Sequence, residues 1–168
     1  MEKFASDVKN LLEQELFLFK SLKKVFQKEQ HCIVNIDIDS LWHTIKEKKD
    51  LGLKIRELKE QLLSLFEEES VVSGVNREEP FNLSGMIEIM SAPGELKSEI
   101  SGLKTLIVGE MEEIKALAEV NSNHVNSYLL VVDDVFSTIM DVTEKSRYDT
   151  AGPYSGVKKG NCLIRQEV

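Results

Sequence analysis

The sequence contains few residues that interrupt helices. Of 168 residues only 3 are proline and 9 are glycine, and no proline lies between residues 94 and 152. Leu, Ile, Val, Glu and Lys dominate instead, a mixture that indicates long helices. Cysteine is equally scarce: Cys32 and Cys162 are far apart and neither belongs to a C-x-x-C pair. This excludes the usual sequence patterns of a disulfide framework or a zinc site.

Long apolar runs are absent as well. None reaches the ~18 residues that a membrane span needs, so no stable membrane insertion is expected. The charged, amphipathic N-terminus does not resemble a signal peptide, and the cytoplasm is the expected compartment. The net charge of −8, from 29 acidic and 21 basic residues, disfavours nucleic acid and anionic lipid as main partners.

Apolar residues at 4-3 spacing predict three helices, over residues 2–34, 40–68 and 93–146, within a helical domain 1–147. The stripe of the first helix contains Glu15 and Glu29. Because a buried unpaired carboxylate is costly, each must lie at the edge of the stripe or pair with a basic residue of another helix. Several N-cap residues follow Asn35 and predict the start of the second helix.

The third predicted helix is the longest. At 1.5 Å per residue it spans roughly 80 Å, against roughly 45 to 50 Å for each of the other two. The predicted fold is therefore all-α: an elongated antiparallel three-helix hairpin or coiled-coil bundle, with the first helix antiparallel to the second and parallel to the long third. Residues 69–92 are predicted as a loop, with a short helix over 83–90 as an alternative. Residues 148–168 are predicted to be a flexible C-terminal tail.

No residue pattern indicates catalysis, and no cofactor or metal is expected. His43-x-x-Lys46 matches the core of a histidine phosphotransfer motif, but Glu47 stands where that motif has glycine. A phosphotransfer-type signalling module therefore stays an alternative, beside a surface histidine. His124 falls on the stripe of the third helix, where it is interpreted as a polar interruption that fixes register or faces a solvent-filled groove.

The C-terminal part of the third helix carries more apolar surface than a soluble helix usually exposes. Apolar residues from Val125 to Met140 cover most of its circumference, and Asp133, Asp134 and Ser137 leave only a narrow polar face. Packing against the first helix could cover the inner side but not both sides. An apolar strip left open on a soluble protein usually marks a partner site, and a homodimer is another way to cover it.

Four stretches in this order resemble a known family: Leu11-Leu12-Glu13-Gln14-Glu15 with Leu18 and Leu22; Glu29, Leu41, Lys49 and Leu51; Asn123-x-x-Asn126-x-x-Leu129-Leu130; and Tyr148 to Gly152. Over residues 8 to about 152 the chain resembles the FlgN-like flagellar export chaperones, which serve the hook–filament junction proteins. The Asn123 stretch is the sharpest match.

The resemblance implies a cytoplasmic, non-enzymatic chaperone of flagellar type III secretion. Such a chaperone binds the C-terminal helices of hook-associated proteins, prevents their premature assembly and delivers them to the export apparatus. The implied client-binding residues lie in the third helix: Asn123, Asn126, Leu129, Leu130, Val132, Val135, Phe136, Ile139 and Met140. Tyr148 and Gly152 are implied to dock the client or the export machinery. A generic coiled-coil adaptor or scaffold is the main alternative.

Overall fold

The structure, a computed structural model, describes the backbone of residues 2–73 and 94–150 and the side chains of residues 3–69 and 94–140. The described residues form three helices and no strand: α1 (Glu2–Val34), α2 (Ile38–Ser73) and α3 (Gly94–Thr150). The fold is all-α with a long third helix, as predicted. Helix α2 continues to Ser73 rather than ending at residue 68. The short helix suggested over 83–90 and the tail from residue 151 lie outside the described residues.

The chain divides into two compact units, Met1–Asn126 and Ser127–Val168. The division falls within α3. Among the described residues, no helix is both long and apolar enough to cross a bilayer.

Helix α1 ends in a Schellman motif, in which two backbone hydrogen bonds close the last turn. The Asp37 amide donates to the Cys32 carbonyl at 2.9 Å, and the Ile36 amide donates to the Ile33 carbonyl at 3.1 Å. The motif requires a left-handed residue, and here Ile36 adopts it with φ of 56°. Glycine is the usual residue at this position because a β-branched side chain is strained there.

Helix α2 begins directly after this turn because Asp37 caps it. The Asp37 Oδ1 accepts the Ser40 backbone N–H at 3.0 Å. Hydrogen bonds from Ser40 hold the pKa of the Asp37 carboxyl below its ordinary value. The cap predicted after Asn35 is therefore present, and only three residues separate α1 from α2.

Ion pairs within the first unit fix the helix directions. Lys28, near the end of α1, pairs with Glu47 near the start of α2 at 3.4 Å, and Asp7 at the other end of α1 shares a groove with Leu65 of α2. These two helices are antiparallel.

Helix α3 runs parallel to α1, as its ion pairs follow the same order along both helices. Lys9 pairs with Glu99 at 2.8 Å, and Lys23 pairs with Glu110 at 2.7 Å. The predicted relative directions of the three helices are thus those observed.

The core of the first unit lies between the three helices. Helix α3 contributes one buried isoleucine per heptad, at Ile100, Ile107 and Ile114. Burying each such side chain stabilises the fold by about 1.5–3 kcal/mol. The other buried members of the same cluster come from α1 and α2: Ala5, Val8, Leu12, Leu16, Phe19, Ile55 and Leu62.

Candidate protein-binding surface on the third helix

The buried heptad series of α3 ends at a polar residue. Asn121 occupies the position one heptad after Ile114 and is only 3% exposed. Its Nδ2 group donates to the Phe26 carbonyl at 3.0 Å and to Glu29 Oε2 at 2.9 Å. The other Glu29 oxygen accepts a hydrogen bond from Lys48. Asn121 therefore connects α3 to a partly buried ion pair between α1 and α2.

The two acidic residues in the α1 stripe are accommodated differently. Glu29 pairs with Lys48 of another helix, as predicted, and the Lys48 ammonium also lies 4.7 Å from the centre of the Phe26 ring. Glu15 is buried, and burial raises the pKa of its carboxyl, although the charge of Lys59 opposes that rise. The charge of Lys59 thus offsets only part of the cost of burying the Glu15 carboxylate.

Burial on α3 ceases after Asn121. Every side chain from residue 122 to residue 140 is exposed. Leu130 is 71% exposed and Phe136 is 63% exposed. We call this segment the apolar strip and define it by its exposed large apolar side chains: Val125, Tyr128, Leu129, Leu130, Val131, Val132, Val135, Phe136, Ile139 and Met140.

The apolar strip keeps the heptad spacing of the buried α3 residues, but its side chains are exposed. Tyr128 and Val135 lie one and two heptads after Asn121, and both are exposed. The strip is also acidic, since no lysine or arginine lies between Lys115 and Lys145 while Asp133 and Asp134 lie within it. The segment therefore offers apolar side chains at coiled-coil spacing beside negative charge.

The structure places all nine side chains that the resemblance implied for client binding on this exposed segment: Asn123, Asn126, Leu129, Leu130, Val132, Val135, Phe136, Ile139 and Met140. No side chain from 122 to 140 is buried. Tyr148 lies within α3 but its side chain is not among those described, and Gly152 lies outside the described residues.

Of the two roles considered for His124, the structure does not support the one that fixes register. It is exposed, and the buried polar interruption is Asn121, one step earlier in the 4-3 series. The sequence placed both residues on the stripe but could not show where burial stops between them. His43 of the phosphotransfer alternative is exposed on α2, and the described helices number three rather than the four of that module.

Comparison with known proteins gives one match. The model of the family described as FlgN protein matches residues 1–156, most of the chain. No curated protein and no solved structure matches the chain. Members of the matched family are flagellar export chaperones.

Proposed function

From the premise that the chain belongs to the FlgN protein family, we propose that it is a cytoplasmic chaperone of flagellar type III secretion. It binds the helical terminal region of hook-associated proteins, prevents their premature assembly and delivers them to the export apparatus. The observation that carries this proposal is the apolar strip of α3, in which large side chains such as Leu130 and Phe136 face solvent.

The strip suits a helical client for a physical reason. Terminal helices that assemble into coiled coils present apolar residues at 4-3 spacing, and the strip presents the same spacing through Tyr128 and Val135. A client helix packed against it would bury apolar surface on both partners, as in helix-in-groove complexes. Each large side chain buried contributes at most about 1.5–3 kcal/mol, and ordering of the partners offsets part of the sum. This offset keeps the affinity moderate, so the client can still be released for export.

The charge of the strip restricts the client. Asp133 and Asp134 are the charged residues between Val125 and Met140, so the strip favours a client helix that carries lysine or arginine beside its apolar face. Binding is then expected to weaken as salt concentration rises, because the charges on both partners are exposed.

A double substitution tests the strip directly. Leu130→Asp with Phe136→Asp places two charges where apolar contact is proposed, and calorimetric titration with the C-terminal helical segment of a hook-associated protein is expected to show at least about 10-fold weaker binding. Phe17→Asp is the matched control, since Phe17 is an equally exposed aromatic residue on α1 at 69% exposure. Equal losses from both variants would contradict the assignment of the strip.

A truncated chain separates the strip from the residues after it. We propose that Tyr148 and Gly152 dock the client or the export machinery. If they dock the client, a chain ending at Asp141 is expected to keep its helical far-UV signal but to bind the client more weakly, because it retains the strip and lacks both residues. Full client affinity in the truncated chain would remove Tyr148 and Gly152 from the client site.

Self-association is the competing use of the same strip, because its coiled-coil spacing also suits a second copy. Replacing Asn123 and Asn126 with leucine extends the apolar surface and is expected to promote dimers, detectable by light scattering. A wild-type chain that is a stable dimer and ignores hook-associated clients would favour the coiled-coil adaptor function instead.

A further inference from the structure

In the first unit, α3 packs against two helices with a face that is three heptad positions wide. The buried series that includes Ile100 and Ile107 defines position a of heptads lettered a to g. On its two sides, Leu103 at position d and Lys104 at position e are partly buried. Because α1 and α2 both contribute to the core against which Ile100 and Ile107 pack, a face of positions d, a and e serves two neighbouring helices.

The apolar strip has a face of the same width, displaced by one heptad position. Its positions a, e and b hold only apolar side chains: Tyr128 and Val135 at a; Val125, Val132 and Ile139 at e; Leu129 and Phe136 at b. These three positions are neighbours on the helix surface and together span about 100°, the width of a face that packs into a core. A seam with one partner helix needs only two such positions.

The centre of the strip resembles the centre of the buried face. Position e is β-branched throughout, at Val125, Val132 and Ile139, as position a is in the first unit at Ile100 and Ile107. β-Branched side chains have few rotamers to lose when they are buried between neighbours. One client helix would cover positions a and e, or e and b, and would leave the large side chains of the remaining position exposed.

The chain itself and a second copy are both poorly suited to cover this face. Residues 151–168 contain Gly152, Pro153, Gly156 and Gly160, a composition that disfavours a helix. Asp133 and Asp134 lie at the middle of the strip, so two strips packed in either direction would bring these like charges together. A client helix with lysine or arginine at its flanks has no such repulsion.

We infer that the apolar strip receives two amphipathic helices of the client at once, one against positions a and e and the other against positions e and b. Strip and client then form a three-helix bundle, as α3 does with α1 and α2 in the first unit. The inference rests on the proposed function, because it takes the occupant to be the exported client. It adds that the client must present a pair of helices, since a single helix leaves part of the face open.

Designed probes count the helices that bind. The first probe is a three-heptad amphipathic peptide with leucine on one face and lysine at its flanks, and the second joins two copies of this peptide by a flexible linker. Calorimetric titration of the full-length protein is expected to show two single peptides, or one linked pair, per chain. The linked pair is expected to bind at least about 100-fold more tightly, because its second helix binds intramolecularly. One single peptide per chain without a gain from linkage, or no binding of either probe, would overturn the inference.

Substitutions at the two edges of the face separate the two places. Tyr128→Asp with Val135→Asp removes position a, and Leu129→Asp with Phe136→Asp removes position b. Each variant is expected to bind one single peptide per chain and to lose the gain from linkage. All four side chains are exposed in the free chain, so the circular dichroism spectrum is expected to stay unchanged. An edge variant that still binds two peptides, or binds none, would contradict the assignment of two places.

A central variant and a control complete the series. Val132→Asp with Ile139→Asp changes the position that both helices share and is expected to weaken the binding of both single peptides at least about 10-fold. Phe17→Asp changes an exposed aromatic residue of α1 and is expected to keep two peptides per chain. Loss of a peptide in Phe17→Asp would place that peptide outside the strip and overturn the inference.

Failure of this inference and failure of the proposed function give different results. If the C-terminal helical segment of a hook-associated protein binds but only one designed peptide does, the client proposal stands and the inference of two helices is overturned. If two designed peptides bind and that segment does not, the two places are supported and the hook-associated client is refuted. A wild-type dimer that becomes a monomer in Val132→Asp with Ile139→Asp would identify a second copy as an occupant and overturn the inference.

Discussion

Replacing Asn121 with alanine removes a side chain of α3 from the polar cluster that it forms with Glu29 and Lys48. The substitution deletes the hydrogen bonds to the Phe26 carbonyl and to Glu29 Oε2, while the Glu29–Lys48 ion pair remains. Because Asn121 is 3% exposed, water cannot simply replace the lost donor. We expect the variant to fold but to be less stable.

The size of the effect follows from three contributions. The hydrogen bond to the Glu29 carboxylate contributes about 1.5–3 kcal/mol, and the bond to the Phe26 carbonyl contributes about 0.5–1.5 kcal/mol. The buried Oδ1 of Asn121 has no hydrogen-bond partner among the described residues, and its removal returns about 1 kcal/mol. The net loss is about 2 kcal/mol, which for a chain of this size lowers Tm by about 4–8 °C.

Urea unfolding followed by circular dichroism measures this loss, with Asn126→Ala as the control. Asn126 is exposed on the same helix, so its substitution is expected to change the free energy of unfolding by less than about 0.5 kcal/mol. A double-mutant cycle with Glu29→Gln is expected to show coupling of about 1 kcal/mol, because both variants affect one hydrogen bond. Equal stability of Asn121→Ala and wild type, or strict additivity in the cycle, would refute the reasoning.

Four other substitutions test the local physics. Ile36→Gly relieves the strain of a left-handed backbone conformation at an exposed position. It is expected to raise the free energy of unfolding, measured in urea, by about 1 kcal/mol. Burial raises the pKa of Glu15, so wild-type stability falls as pH rises from the ordinary glutamate pKa through the raised one; Glu15→Gln is expected to abolish that fall and to unfold at higher urea than wild type at pH 7. Gly102→Ala and Gly109→Ala meet no neighbouring atoms and are expected to stabilise α3 by up to about 1 kcal/mol each, measured by Tm. A change in stability opposite to the expected one would contradict the corresponding prediction.

The positions and directions of the helices could be predicted from the spacing of apolar residues and the residues that cap the helices. The 4-3 series in α1 and α3 marks the buried faces, and the cap residues after Asn35 mark the turn. The partner of Glu29 was predictable by type, since a carboxylate in a buried stripe requires a cation from elsewhere. Its identity as Lys48 was not, because that depends on how α1 and α2 are aligned.

The outward residues of α2 were not predictable from periodicity. Ile45 fits the 4-3 apolar spacing of helix α2, but it is exposed beside Trp42. Helix α2 contains two stripes at 4-3 spacing, and the period does not tell which one faces α1. Ile36 is a similar case, since the usual sequence signal for a Schellman motif is glycine.

The apolar strip of α3 is costly for the free protein, and this is the physical reason to assign it a binding role. Exposed side chains such as Leu130 and Phe136 do not contribute to the core, so the stability of the first unit gives no reason for them to be apolar. On a monomeric protein, contiguous exposed apolar residues promote aggregation unless a partner covers them. Polar residues at these positions would relieve that cost and leave the Asn121 cluster intact. The proposed partner would account for this surface, because it would bury side chains that do not contribute to the core of the first unit.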